Sequence, residues 1–192
     1  NIVMNPNFYI IDAARVLERI EKVFTFELSY ECLYQGQSRD NLADYAPYLI
    51  DLHSSKDGFP AWLSENSKGQ SWGIYIGADK NFEEIYKHFR KFLIVQDEDG
   101  KELYFRYYDP RVLRIFLPTC DSEQLKEFFG PIDYFLCEDE DPNYYLKFSL
   151  INNELVTERF LLSDIEIANK SSDNNDNLLN EVVNDVDLDN IV

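Results

Sequence analysis

The sequence predicts a fold of the α/β, more narrowly α+β, class: a mixed β-sheet with helices packed against it. Three observations predict it. The chain opens as strand, helix, strand; an amphipathic stretch from Asn81 to Phe92 interrupts later strand candidates; and the last third alternates apolar and polar residues between turn signals. Phe8 to Asp12 reads as a short buried strand. The segment after it places Val16, Leu17, Ile20 and Phe24 on one helical face, and Phe26 to Tyr34 reads as a second strand. The pair suggests a β-α-β unit, whose crossover is right-handed where the strands run parallel.

Tyr48 to Leu52 and Trp72 to Ile76 are further strand candidates, separated by a short helix near Pro60 to Ser64 and a turn at Lys68-Gly69. Within Asn81 to Phe92, Phe82, Ile85, Tyr86, Phe89 and Phe92 recur at helical spacing, and Glu83, Glu84, Lys87 and Arg90 are left for solvent. Leu93 to Gln96 and Glu102 to Tyr107 flank Asp97-Glu98-Asp99-Gly100, the chemistry of a tight turn between antiparallel strands. The aromatic strand reaches Tyr108, where Asp109 caps a helix and Pro110 occupies its first position, at which the missing N–H costs nothing. Pro118 ends that helix. Asp121 caps the next, with Gln124 three residues on to answer it, and Gly130-Pro131 closes it. Ile132 to Cys137, Tyr144 to Leu150 and Leu155 to Leu161 form a late antiparallel meander whose last turn is Asn152-Asn153.

Composition bounds the function. At 192 residues, with 45% hydrophobic and 15% aromatic side chains, the chain can bury one substantial core. A formal charge of −18 repels phosphate backbones and anionic lipid, so nucleic acid and membrane are not expected partners, and a basic or mixed protein surface is the natural target. No run approaches the apolar length of a membrane span. Three cysteines, Cys32, Cys120 and Cys137, without paired spacing, and no signal-type N-terminus, make the cytoplasm the expected compartment.

Past Lys170 the chain turns to Ser, Asn and Asp and carries six acids, so residues 1–170 keep −12 of the −18. Residues 170–192 read as an acidic tail, disordered or folded on a partner. Leu178, Leu179, Val182, Val183 and Val186 form an apolar stripe at helical spacing that suits packing against this domain or another protein.

Catalytic and metal chemistry find little support. His53 and His88 are isolated, and His88, beside Phe89, reads as a surface or boundary residue. The cysteines form no zinc pattern, the Asp97 run lacks the spacing of a calcium loop, and Glu138-Asp139-Glu140-Asp141 reads as a solvated turn. No cofactor or metal is expected. Arg106, Arg111 and Arg114 stand around one strand-to-helix corner. They can clamp a partner's carboxylates or pair with Asp109 and Asp12 to hold the corner, and the second reading is preferred. Trp72 reads as core or, if exposed, as an interface anchor; Tyr104, Tyr107, Tyr108, Phe128 and Phe129 are candidates for an adhesive face, most of them expected to be buried. The candidate partner-binding residues are therefore Trp72, Arg106, Tyr108, Asp109, Arg111, Arg114, Phe128 and Phe129, together with the tail stripe.

Several blocks carry a resemblance: Phe105-Arg106-Tyr107-Tyr108-Asp109-Pro110-Arg111-Val112-Leu113-Arg114, then Leu117-Pro118-Thr119-Cys120, then Phe128-Phe129-Gly130-Pro131, preceded by Tyr9 to Arg15, Cys32 to Gly36 with Ala46 to Leu49, and Ser71 to Ile74. In this order the blocks resemble the type VI secretion effector chaperone (adaptor) family, catalogued as domain of unknown function 4123. The resemblance assigns residues 1–138 to the adaptor domain, 139–169 to a C-terminal β-meander extension and 170–192 to the tail. It implies a non-enzymatic adaptor or chaperone that holds a cognate effector by its N-terminal region and delivers it to the C-terminal region of the spike protein. Family members often carry a second C-terminal lobe where this chain has the meander and tail, which leaves the two-partner geometry open. An immunity protein that neutralises a basic toxin is one alternative, and a hydrolase using Asp12, Asp109 and an arginine is another.

Overall fold

The computed structural model describes residues 1–56 and 58–168. The tail stripe Leu178, Leu179, Val182, Val183 and Val186 lies outside them. In chain order the elements are β1 (Ile2–Met4), β2 (Phe8–Asp12), α1 (Ala13–Val16), α2 (Ile20–Thr25), β3 (Tyr30–Cys32), α3 (Gly36–Leu42), β4 (Pro47–Asp51), α4 (Phe59–Ser67), β5 (Gly73–Gly77), α5 (Phe82–Arg90), β6 (Ile94–Gln96), β7 (Glu102–Tyr104), α6 (Pro110–Thr119), α7 (Ser122–Phe129), β8 (Tyr134–Glu138), β9 (Tyr144–Ile151), β10 (Glu154–Leu161) and β11 (Ile165–Ile167).

Seven strands form one sheet in the order β10-β9-β8-β5-β2-β4-β3. The α+β class stands, but every pairing in this sheet is antiparallel rather than mixed. The reason is visible in the opening unit. The strands β2 and β3 do run the same way, yet β4 inserts between them and pairs antiparallel with both. Among the described residues parallel pairing occurs only between β1 and β11, in a separate two-stranded sheet, and β6 with β7 forms an antiparallel ribbon.

Register fixes what each face buries. Phe8, Ile76, Phe135 and Phe148 are aligned across β2, β5, β8 and β9. Against them lie α5, through Phe82 on Phe8 and Phe89 on Phe135, and α7, through Phe128 and Phe129 on Phe135. On the opposite face Tyr9, Tyr75 and Tyr145 meet ring to ring, Phe24 of α2 packs on Tyr48, and Trp62 of α4 packs on Trp72. Aromatic edges against faces give these contacts more than area burial alone.

Several local expectations need correction. The first helical face is broken: a short 3₁₀ turn over Leu17–Arg19 separates α1 from α2, and Leu17, at φ +57°, is exposed. Strand β3 is three residues long, because Phe26 turns inward against Phe59 and Trp62 instead of pairing in the sheet. The aromatic strand stops at Tyr104. Beyond it Tyr107 is buried, stacks on Phe89 and donates from its hydroxyl to the Phe89 carbonyl at 2.9 Å, a contact an extended ladder does not allow. Pro118 is accommodated in the last turn of α6, which ends one residue later at Thr119. His88 is buried rather than superficial: Nε2 lies 2.6 Å from the Phe128 carbonyl and the ring edges against Phe89 and Phe92. Glu138 is not part of a solvated turn. It is buried and accepts from the Gly69 and Ser71 amides, which the left-handed backbone at those residues aims at it.

Other local readings hold. Asp109 caps α6, Asp121 and Gln124 make the reciprocal capping box, and Asn152 and Asn153 both take positive φ in the β9–β10 turn, as a two-residue hairpin loop requires.

Candidate functional site

The corner where β2 meets α1 and the approach to α6 is organised by two inward-facing carboxylates and three arginines. Asp12, 1% exposed, ends β2 and caps α1 through the Ala14 amide at 3.0 Å. Arg106 reaches it with a guanidinium hydrogen bond, across 94 residues of chain. Asp109, equally buried, caps α6 through the Arg111 amide at 2.9 Å. It also takes a two-pronged bond from Arg111, Nε to Oδ1 at 3.0 Å and Nη2 to Oδ2 at 2.7 Å, and lies 3.8 Å from Arg106. Arg114 donates to the Glu138 carbonyl at 2.7 Å, tying α6 to β8. Arg106 and Arg111 pair with Asp12 and Asp109, the structural role preferred for the arginines, whereas Arg114 bonds a backbone carbonyl on β8 instead.

The two carboxylates answer burial differently. Burial pushes the Asp12 carboxyl up despite the opposing pull of Arg106. Burial also pushes Asp109 up, but bonds from the Arg111 side chain and amide, with Arg106 beside them, outweigh it and hold the group below its ordinary value. Tyr108 is pushed well up by burial and by the neighbouring Tyr34 and Asp12.

The corner turns its acids inward and its guanidinium groups outward, with 42% of the Arg106 and 49% of the Arg111 side chain exposed. Beside them runs an open groove of about 650 Å³ along α6, lined by Arg106, Asp109, Arg111, Val112, Ile115, Phe116 and Thr119. Ile115, 72% exposed, is the most exposed large apolar side chain among the described residues. The opposite side of α6 buries Leu113 and Leu117, so the helix is amphipathic, with Arg111 and Arg114 on its outer side. Ile115, exposed among them, leaves apolar surface on that side open to a partner.

Of the sequence-predicted site residues, the structure brings Arg106, Asp109, Arg111 and Arg114 to this corner. Tyr108 sits beside it but is buried. Trp72, Phe128 and Phe129 are core: Trp72 packs on Trp62, and Phe128 stacks on Phe135. Tyr104 alone of the proposed aromatic face is exposed, on the β6–β7 ribbon that also exposes Ile94, Val95 and Leu103. Val112, Ile115, Phe116 and Thr119 were missed, although their i, i+3, i+4, i+7 spacing on a helix already filled by Leu113 and Leu117 is a readable signal.

Among the described residues no cluster of three or more His, Cys, Asp or Glu side chains can hold a metal ion, and no helix is long and apolar enough to cross a membrane. The cysteines are free; Cys32 and Cys137 are buried, and burial pushes the Cys137 thiol up to about 12, far from a reactive thiolate.

Fold and corner together define an α+β domain on an antiparallel sheet, with a capped, arginine-rimmed helix at its open face. Residues 7–127 match the family described as a domain of unknown function, DUF4123, and the chain belongs to that family. No curated protein and no solved structure matches the chain.

Proposed function

We propose that this protein is a cytoplasmic adaptor or chaperone that binds a cognate type VI secretion effector and helps load it onto the spike protein. Binding, without covalent chemistry, is the activity assigned. The observation that carries the reading is the outer face of α6, where Ile115 stands exposed between Val112 and Phe116 and beside the guanidinium groups of Arg106 and Arg111. An apolar ridge edged by cations suits a polypeptide that offers an apolar stripe with carboxylates on its flank. The pairing of both arginines with buried acids supports this use: it holds the guanidinium groups in place before the partner arrives, so little side-chain entropy is lost on binding. Membership of the family whose blocks resemble the adaptors supports the assignment of effector and spike as the partners.

The test is co-expression of the full chain with the effector and spike encoded beside its gene, followed by purification and identification of what remains bound. Retention of the effector is expected. Recovery of the chain alone, under conditions in which both candidates are folded and abundant, would overturn the reading.

A further inference from the structure

We propose that the β6–β7 ribbon and the groove at its base form a second docking surface, which takes an extended segment of another protein as a third strand. Apolar side chains of that segment lie on Ile94 and Tyr104, and a carboxylate lies beside Arg90 and Lys91. The proposal stands whatever the outer face of α6 binds.

The backbone shows why the occupant is extended. The Phe105 amide donates to the Leu93 carbonyl at 2.9 Å and the Asp97 amide to the Lys101 carbonyl at 3.0 Å. Midway between these bonded pairs stand Val95 and Leu103, so Ile94, Gln96, Glu102 and Tyr104 turn their amides and carbonyls to the two outer edges of the ribbon. Among the described residues no further strand pairs with either edge. All six residues of β6 and β7 are exposed, and the four apolar ones, Ile94, Val95, Leu103 and Tyr104, are between 40% and 51% exposed. Two strands alone are marginally stable in water, and an open apolar edge is a template for another chain. A third strand supplies the missing hydrogen bonds and covers the apolar side chains.

Charge shows which segment fits. Ile94 and Tyr104 are directly opposed, so their side chains share one face of the ribbon. Both line a groove of about 290 Å³, together with Tyr34, whose ring centre lies 5.4 Å from that of Tyr104. The charged residues lining this groove are Arg90 and Lys91. Arg90 donates to the Leu33 carbonyl, and among the described residues neither cation forms an ion pair. The arginines along α6 differ, since Asp12 and Asp109 already neutralise them. In a chain of formal charge −18, two unneutralised cations beside an apolar groove attract a carboxylate and discriminate against a basic segment. The ribbon's tip is acidic at Asp97, Glu98 and Asp99, so the incoming strand lies with its acid toward the base.

Selection of a random twelve-residue peptide library on the full chain tests this. Affinities of the enriched peptides are then measured by fluorescence anisotropy on the parent and on Lys91→Glu, Ile94→Asp and Ile115→Asp. All three positions are exposed, so each variant should keep the urea midpoint of the parent. Lys91→Glu alters charge alone and decides the matter if Ile94→Asp disturbs the ribbon. Enriched peptides are expected to carry apolar residues at alternate positions and an acidic residue near one end. They should bind at least about tenfold more weakly to Lys91→Glu and Ile94→Asp and equally to Ile115→Asp and the parent. Bound peptide should also slow amide exchange at Ile94 and Gln96 or at Glu102 and Tyr104. Absence of enrichment overturns the proposal, as do peptides indifferent to Lys91→Glu or bound without protecting either edge. Peptides lost only in Ile115→Asp overturn it too, while leaving the α6 face as a binding surface. Protection of the same amides that rises with protein concentration, without peptide, would assign the ribbon to a second copy of this chain and equally contradict the proposal.

Discussion

Asp12 and Asp109 are both almost wholly buried, yet they respond to pH with opposite sign, and this makes the corner measurable one residue at a time. The depressed value of Asp109 means that its contribution is present above the ordinary carboxylate value near 4 and is lost as pH falls through its folded value. Asp109→Asn should therefore flatten the acid limb of a stability–pH curve and cost about 1 kcal/mol at neutral pH, a figure kept small because Arg111 is half exposed. Asp12 is raised, so its contribution is greatest at low pH and diminishes as pH rises through its folded value. Arg106→Met leaves that carboxylate buried without its cation. Urea unfolding should show a loss of about 2 kcal/mol at pH 7, partly recovered at pH 5 as Asp12 takes up a proton. An equal loss at both values would mean that Arg106 acts through packing alone. Burial lowers the His88 value against the support of the Phe128 carbonyl, so the folded state resists protonation and stability falls as pH drops below about 6.5. His88→Gln, which keeps a donor for Phe128, should move the onset of acid destabilisation toward pH 4 in thermal melts.

The elements show where sequence reasoning succeeded and where it stopped. Caps at Asp109 and Asp121 and the Asn152-Asn153 turn were legible because they are local: one side chain answers the backbone amides within a few residues. The early ends of β7 and β3 were not, because Tyr107 and Phe26 leave the extended path for distant rings, and no local preference reports that gain. The insertion of β4 between β2 and β3 was hidden for the same reason. Burial of Glu138 depends on amides 67 and 69 residues away. The pairing of Arg106 and Arg111 with Asp12 and Asp109 was anticipated because Asp109-Pro110 already explains much of this block as a helix cap, whereas Ile115 on the outer side of α6 was legible from its helical spacing and was overlooked. Close packing between central strands also makes a sharp prediction. A Cβ at Gly73 would stand 1.9 Å from the Ile10 carbonyl oxygen on the neighbouring strand. Gly73→Ala should lower stability by about 3 kcal/mol, read as a shift in urea midpoint, because backbone in the middle of a sheet has nowhere to move.

At the scale of the whole molecule, a rigid aromatic core supports one exposed ridge. Helices α5 and α7 pack on the sheet through Phe89, Phe128 and Phe135, α6 joins them through Phe116 on Phe128, and Arg114 ties α6 to β8 inside the sheet. A helix held to the core by these contacts suits recognition of a partner by a preformed surface. In an acidic protein the arginine rim should favour partners with carboxylates beside their apolar residues, so association should weaken as salt screens the rim. The most direct test is the affinity of the full chain for its co-expressed effector, measured by titration calorimetry with and without Ile115→Asp. The account predicts that the variant keeps the urea midpoint of the parent and loses at least about tenfold in affinity, as expected for a central apolar anchor. Unchanged affinity in a folded variant would contradict the claim that the outer face of α6 is where the protein binds.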